Sequence, residues 1–254
     1  MPFVLTKIIE RAFRNNGFEV IVIQGQQGVG KTTYAIKVLS ELYCRETALN
    51  YVFFDVKQSF PIIRECLRYR KRVKCLCYDD AGVWISKYDF LKEDRQLFVK
   101  FLEVARTVTG AVIFTVPTYR LLLRALREMC WIHVHIRKSK QGEREAHIYR
   151  FTWTPTGKFV VKEIGVDTFV PKLDHDIYVK YQEMRRLFVE KVFMDLQVAI
   201  QTANREKTIE DMLKKGYSIS DIARALGVSR QTVYKYIKKL NLYPTGHEIE
   251  NMGT

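Results

Sequence analysis

The spacing of apolar positions changes several times along the chain, and each change marks a new element. Between residues 3 and 14, Val4, Leu5, Ile8, Ile9, Ala12 and Phe13 recur at helical spacing, and Asn15-Asn16-Gly17 ends that helix. Residues 18–23 form a β-branched apolar run of strand character, and residues 31–43 read as an amphipathic helix. Further strands are predicted at 51–55, 73–78, 110–116 and 131–137, separated by helical stretches at 58–70, 91–107 and 118–129. Strands alternating with helices predict an α/β fold, a parallel sheet with helical crossovers.

The pattern then shifts. Residues 146–154 and 158–164 alternate with strand period around Thr154-Pro155-Thr156-Gly157, with Gln141-Gly142 marking an earlier turn, which predicts an antiparallel extension of the sheet. A long helix is expected after Pro171-Lys172-Leu173-Asp174, stepping through Ile177, Tyr181, Met184, Phe188, Val192, Leu196 and Ile200. Three short helices are drawn over 205–241. The expected organisation is an α/β domain at 1–170, a linker helix at 171–204 and a small all-α domain at 205–254.

Between the first strand and the next helix lies Gly25-Gln26-Gln27-Gly28-Val29-Gly30-Lys31-Thr32, a complete Walker A sequence in its strand–loop–helix setting. Glycines let the backbone turn its N–H groups around a phosphate, and the helix N-terminus adds partial positive charge. Lys31 is expected to bridge the β- and γ-phosphates of a nucleotide, and Thr32 to ligate Mg²⁺; residues 25–33, Thr33 included, form the expected nucleotide-contacting set. Residues 75–80, Cys-Leu-Cys-Tyr-Asp79-Asp80, read as an apolar strand closing on acids, a Walker B pattern. Asp79 would hold the Mg²⁺ shell through water, and Asp80 would orient and deprotonate the attacking water. Asp55, at the end of the second strand, is a competing base. Thr115, near the end of the fourth strand, is either a sensor aimed at the γ-phosphate or an ordinary β-branched strand residue. Arg124 and Arg127 are either arginine fingers for a neighbouring subunit or solvated helix charge.

The last helix region carries a second signal. Ser218-Ile-Ser-Asp221 fits a capping box, as does Thr208-Ile-Glu-Asp211, and Gly216 and Gly227 sit where left-handed caps end helices. Ile222, Ala223, Leu226, Val228, Val233 and Ile237 have the core spacing of a helix-turn-helix. Its last helix would present Arg230, Gln231, Thr232, Tyr234 and Lys235 to bases and phosphates in a major groove, with Ser229, Lys238 and Lys239 on phosphate.

Composition adds two constraints. The 254 residues carry a formal net charge of +14, which favours an acidic polymer as partner. The five cysteines form no CxxC pair and no even framework, and no signal peptide or membrane-length apolar run is present, so a reducing cytoplasmic setting without membrane attachment is expected. His133 and His135 share a strand face without a third ligand and read as structural.

Walker A, the Asp79-Asp80 pair and a fourth strand ending in Thr115 resemble the additional-strand P-loop ATPases. With the C-terminal reader, they look like DnaA-type replication initiators and helicase loaders, above all the small DnaA-like ATPases of archaeal viruses and plasmids. The reader itself is similar to the DNA-binding module of resolvase-type recombinases. One departure stands out: strands, not a helical lid with an arginine sensor, follow the fifth strand. The resemblance implies a homo-oligomeric, ATP-dependent ATPase on double-stranded DNA, in replication initiation or a related transaction of a virus or plasmid. Alternatives are a transcription or partition regulator switched by ATP, and a DNA-translocating or packaging ATPase.

Overall fold

The computed structural model describes residues 1–85, 93–139, 142–154, 156–240 and 242. The chain divides into two compact units, Met1–Arg185 and Arg186–Thr254. Helix 91–107 and the turns at Gln141 and Pro155 fall partly outside the described residues.

The first unit has the P-loop NTPase architecture, with α-helices on both faces of a mixed sheet. Its strands are β1 (Glu19–Gln24), β2 (Val52–Phe53), β3 (Leu76–Tyr78), β4 (Ala111–Val116), β5 (Ile132–Lys138), β6 (Arg144–Trp153) and β7 (Phe159–Phe169). They lie in the order β2-β3-β4-β1-β5-β6-β7. The first five are parallel, and β6 and β7 add on antiparallel. The additional strand β4 therefore lies between the Walker A strand β1 and the Walker B strand β3. All six residues of β4 are buried, as expected of a central parallel strand covered on both faces.

Alternation along the strands assigns the two faces. Val20, Val22, Tyr78, Val112 and Phe114 pack against α4 (Glu93–Val104) and α5 (Arg124–Met129) through Phe98, Leu102 and Leu126, with α3 (Phe60–Tyr69) adding Ile62 and Ile63. Helices α1 (Val4–Arg14) and α2 (Lys31–Leu42) contact β1 and β4 on the other face. The Asp167 carboxylate of β7 ties that layer together. It accepts the backbone N–H groups of Val4 and Leu5, which have no partner inside α1, and the hydroxyl of Tyr34 on α2. The basic run at 68–74 is partly structural. The Arg72 guanidinium donates to the carbonyls of Phe13, Gly17 and Thr109 and to the Asn16 side chain, pinning the α1–β1 turn, and Lys74 is spent on the Leu42 carbonyl and Glu10.

The strand expectations at 51–55 and 73–78 were too long. β2 keeps two residues because its end turns into a one-turn helix capped by Asp55, and Val73 makes only an isolated bridge to Thr109. The hairpin strands are longer than predicted, since residues 165–169 continue the ladder to Phe169 opposite Arg144.

Helix α6 (His175–Lys214) runs unbroken for 40 residues. The expected capping box at Thr208 is therefore not a helix start: the Thr208 hydroxyl donates to the Asn204 carbonyl one turn back, inside α6. In the second unit, the end of α6 packs with α7 (Ile219–Leu226) and α8 (Arg230–Lys239) around Ile209, Ile219, Ile222, Ala223, Val233 and Ile237. Gly216 and Gly227 adopt left-handed conformations where α6 and α7 end. Among the described residues, no helix is long and apolar enough to cross a membrane.

His133 is buried between the rings of Tyr119 (4.3 Å) and Phe151 (4.1 Å), with Nε2 at 3.2 Å from the Cys130 carbonyl oxygen. Burial pulls its pKa down to about 4. The depressed folded-state value means the neutral ring contributes stability that is complete above about pH 6.5 and lost as the pH falls towards 4. Unfolding followed by tryptophan fluorescence reports the first unit alone, because Trp84, Trp131 and Trp153 all lie there. It is expected to show about 2 kcal/mol less stability from this group at pH 5 than at pH 7.5. His133→Gln, which has no titrating ring, should lose that share of the dependence; an unchanged pH profile would refute the assignment.

Candidate functional site

Gly25 to Thr33 wrap the N-terminus of α2. Gly28 and Gly30 have φ of +73° and +102°, in the left-handed region that favours glycine, and these reversals turn the loop back on itself. Lys31 is 7% exposed, and its Nζ donates to the carbonyls of Gly25 and Gln26 at 3.0 Å each. Burial pushes the Lys31 ammonium below lysine's usual range, while Asp80 and Asp79 oppose that shift. Gln26 and Gln27 are exposed at the loop tip, and Val29 is buried with its carbonyl taken by Arg144 Nε.

Asp79 ends β3 wholly buried. Its Oδ1 accepts the hydroxyl of Thr32 at 2.8 Å and also that of Thr115; its Oδ2 accepts the hydroxyl of Tyr181 at 2.6 Å. Asp80 follows in the left-handed region, with φ of +48°, and its Oδ2 accepts from Arg185 Nη2 at 3.2 Å. Burial, then the neighbouring Asp79, raises the Asp80 pKa above the usual carboxylate range, against the pull of Arg185 and Lys31. Thr115 is fully buried, and its hydroxyl also accepts the Asp80 backbone N–H at 3.0 Å, so it links the two acids.

Beside this cluster lies a cleft of about 890 Å³. Gln27, Gly28, Gly30, Lys31, Thr32, Thr33 and Asp80 form one wall, and residues 171–185 supply another. The donor set fits a hard divalent cation that takes most of its ligands from phosphate and water: one buried carboxylate and one hydroxyl at 2.8 Å. Among the described residues there is no cluster of three or more His, Cys, Asp or Glu that would cage a metal by itself.

The structure brings Walker A, Asp79-Asp80 and Thr115 together and leaves Asp55, Arg124 and Arg127 apart. Asp55 spends its carboxylate capping the following turn through the Lys57 N–H. Arg124 is exposed and paired with Glu128 at 2.7 Å, while Arg127 lies 5.8 Å above the Tyr119 ring; neither lines the cleft. Tyr181 and Arg185 are the site residues that sequence reasoning missed. In the sequence Tyr181 is one apolar step of the expected linker helix. An i, i+4 Tyr–Arg pair carries no motif, so only the docking of the start of α6 on the first unit brings it to the acids.

In the second unit, Ser229 caps α8 by accepting the Thr232 N–H, and Arg230, Gln231, Tyr234, Lys235 and Lys238 are exposed along α8, with Thr232 half-buried. Lys239 is tied to Glu206 at 2.6 Å, which removes it from the free cations of that helix.

Residues 201–240 match the family described as the helix-turn-helix domain of resolvase. Over 218 residues the chain is 32% identical to the uncharacterized protein B-251 of Sulfolobus spindle-shape virus 1, covering 79% of this chain and 86% of that one. It is 27% identical over 173 residues to the uncharacterized protein ORF286 of Acidianus two-tailed virus, covering 66% of this chain and spanning 60% of ORF286. Among solved structures, the N-terminal domain of zonular occludens toxin from Neisseria meningitidis aligns with a TM-score of 0.35 at 18% identity, over 63% of this chain and 96% of that one.

Tyr181 donates to Oδ2 of Asp79, so a cation held by that carboxylate would have to share it with the hydroxyl. Tyr181→Phe is expected to lower the stability of the first unit by about 1–2 kcal/mol without ligand, because that oxygen loses its donor in a buried setting. The deficit should shrink in saturating Mg²⁺-ATP, which would stabilise the variant more than the wild type. Equal deficits with and without Mg²⁺-ATP, read from urea midpoints, would sink the competition.

Proposed function

The chain belongs to the family of protein B-251 of Sulfolobus spindle-shape virus 1, and for this member we propose an ATP-dependent DNA-binding ATPase that acts in replication initiation or a related transaction of a small genome. The observation that carries the proposal is the wholly buried Asp79 hydrogen-bonded to the Walker A Thr32 at 2.8 Å. Asp79 and Thr32 would hold Mg²⁺, which offsets phosphate charge when bound. Backbone N–H groups of residues 25–33 would cradle the phosphates, and Lys31 would exchange its two loop carbonyls for phosphate oxygens. Asp80, its pKa raised by burial, is suited to orient a water and take its proton, with Arg185 fixing the carboxylate. Thr115 would transmit the position of one acid to the other. Arg124, exposed, would have to leave Glu128 to serve a neighbouring subunit, whereas Arg127 is packed on Tyr119. Adenine is preferred over guanine by likeness to the additional-strand ATPases.

The helix-turn-helix match and the exposed cations of α8 support double-stranded DNA as the partner. One small reader makes few phosphate contacts and binds weakly at physiological salt. Several copies gathered by ATP would raise its effective concentration. Val189, Phe193, Leu196 and Ile200 are exposed along α6 at alternating spacings of four and three, which supports self-association as a homo-oligomer. The site of action would be the cytoplasm of the host cell. A second reading, a motor that translocates or packages DNA, is favoured by one feature: β6 and β7 stand where initiators carry a helical lid.

Steady-state ATP hydrolysis by wild type and Lys31→Ala, each with and without duplex DNA, tests the core of this reading. Turnover should rise with DNA and fall on the order of 100-fold in the variant. Absence of turnover with DNA still bound would refute an ATPase and favour a transcription or partition regulator switched by ATP. On the reader, Arg230→Ala should cost about 1–3 kcal/mol in DNA affinity and relax sequence preference, while Lys238→Ala should weaken all sequences alike and reduce the salt slope by about one. Unaltered affinity and slope in both, measured by fluorescence anisotropy across salt concentrations, would remove α8 from the interface.

A further inference from the structure

We infer that the start of α6 is the nucleoside wall of the cleft, with Tyr178 as the platform on which the base stacks. It deepens the nucleotide site proposed above and rests on that reading. His175, Tyr178, Gln182 and Arg185 all line the cleft at spacings of three, four and three, so they form one stripe of the helix. That stripe is chemically graded. At one end, Arg185 is ion-paired with Asp80 at 3.2 Å, which marks the hydrolytic end of the cleft. Helical rise sets Tyr178 about 10 Å back from Arg185 along the same face. Pro171, Lys172 and Leu173, just before the helix, also line the cleft, and Pro171 approaches the phosphate loop: its Cβ lies 3.5 Å from where a side chain on Gly30 would begin. The helix thus offers a paired charge at Arg185 and an open aromatic ring at Tyr178, a separation that suits the two ends of a nucleoside triphosphate.

The burial of α6 supports this assignment. Ile177 and Tyr181 are 6% and 4% exposed and anchor the helix, yet Tyr178 between them is 49% exposed while lining the cleft. A large aromatic ring held by a rigid helix and left open on a cleft wall is a surface that a flat base covers at little entropic cost. His175 and Gln182 flank the ring with groups able to donate or accept hydrogen bonds, the means of reading a base edge or ribose hydroxyl.

The test is equilibrium binding of ATP, GTP and inorganic tripolyphosphate, each with Mg²⁺, to the full-length wild type, Tyr178→Ala and Tyr178→Phe. Tripolyphosphate reports the phosphate loop without a base. Tyr178→Ala is expected to weaken ATP about tenfold and leave tripolyphosphate unchanged, while Tyr178→Phe, which keeps the ring, retains wild-type ATP affinity. Undiminished ATP binding by Tyr178→Ala overturns the stacking role, and equal loss of ATP and tripolyphosphate overturns it in favour of general damage to the site. Wild-type protein that binds neither ligand overturns the nucleotide reading itself, whereas tripolyphosphate binding with a failed Tyr178 effect leaves that reading standing.

Discussion

One buried carboxylate organises the first unit. Asp79 accepts hydroxyls from Thr32 on α2, Thr115 on β4 and Tyr181 on α6, and so joins three elements distant in sequence at the carboxyl end of the sheet. A charge this deep is tolerable only when its lone pairs are met by donors. Its donors come from the Walker A helix, the additional strand and the start of α6. The electrostatic requirement of a single side chain thereby assembles the whole site.

Burial around this point sorts charge into roles. Lys31 and Asp80 are shifted in opposite directions from their ordinary values by the same cause, loss of water, and each partly compensates the other. Arg185 brings a second cation at the cleft's open side. With Lys172 also on the cleft lining, the site sets the two acids Asp79 and Asp80 beside three cations. Outside the site, arginines serve as fasteners: Arg72 spends its donors on backbone carbonyls between α1, β1 and β4, where a mobile lysine could not span them.

Much of this was legible in the sequence because the informative signals are local. Walker A is a contiguous motif, and the apolar run ending in Asp79-Asp80 and the alternation of strands and helices yield the parallel sheet directly. The helix-turn-helix was legible for the same reason, its caps at Ser218 and Ser229 lying next to the helices they start. Two kinds of feature escaped. Lengths of elements failed where tertiary hydrogen bonding decides them, as in the two-residue β2 and the unbroken passage of α6 through Thr208. Long-range partnerships failed too: nothing local distinguishes Tyr181 from a core tyrosine or Arg185 from a solvated one, since their roles depend on a contact made across about one hundred residues of chain, 102 for Tyr181–Asp79 and 105 for Arg185–Asp80.

The backbone at Asp80 bears on why this position suits aspartate better than glutamate. With φ at +48° the residue occupies a conformation that most side chains resist, and Asp and Asn enter it more readily than longer ones because a short polar group can satisfy nearby backbone. The turn that carries the acid away from β3 thus selects the shorter carboxylate before any question of reactivity arises. A glutamate introduced there would have to be accommodated by the backbone before its carboxylate could be judged as a base.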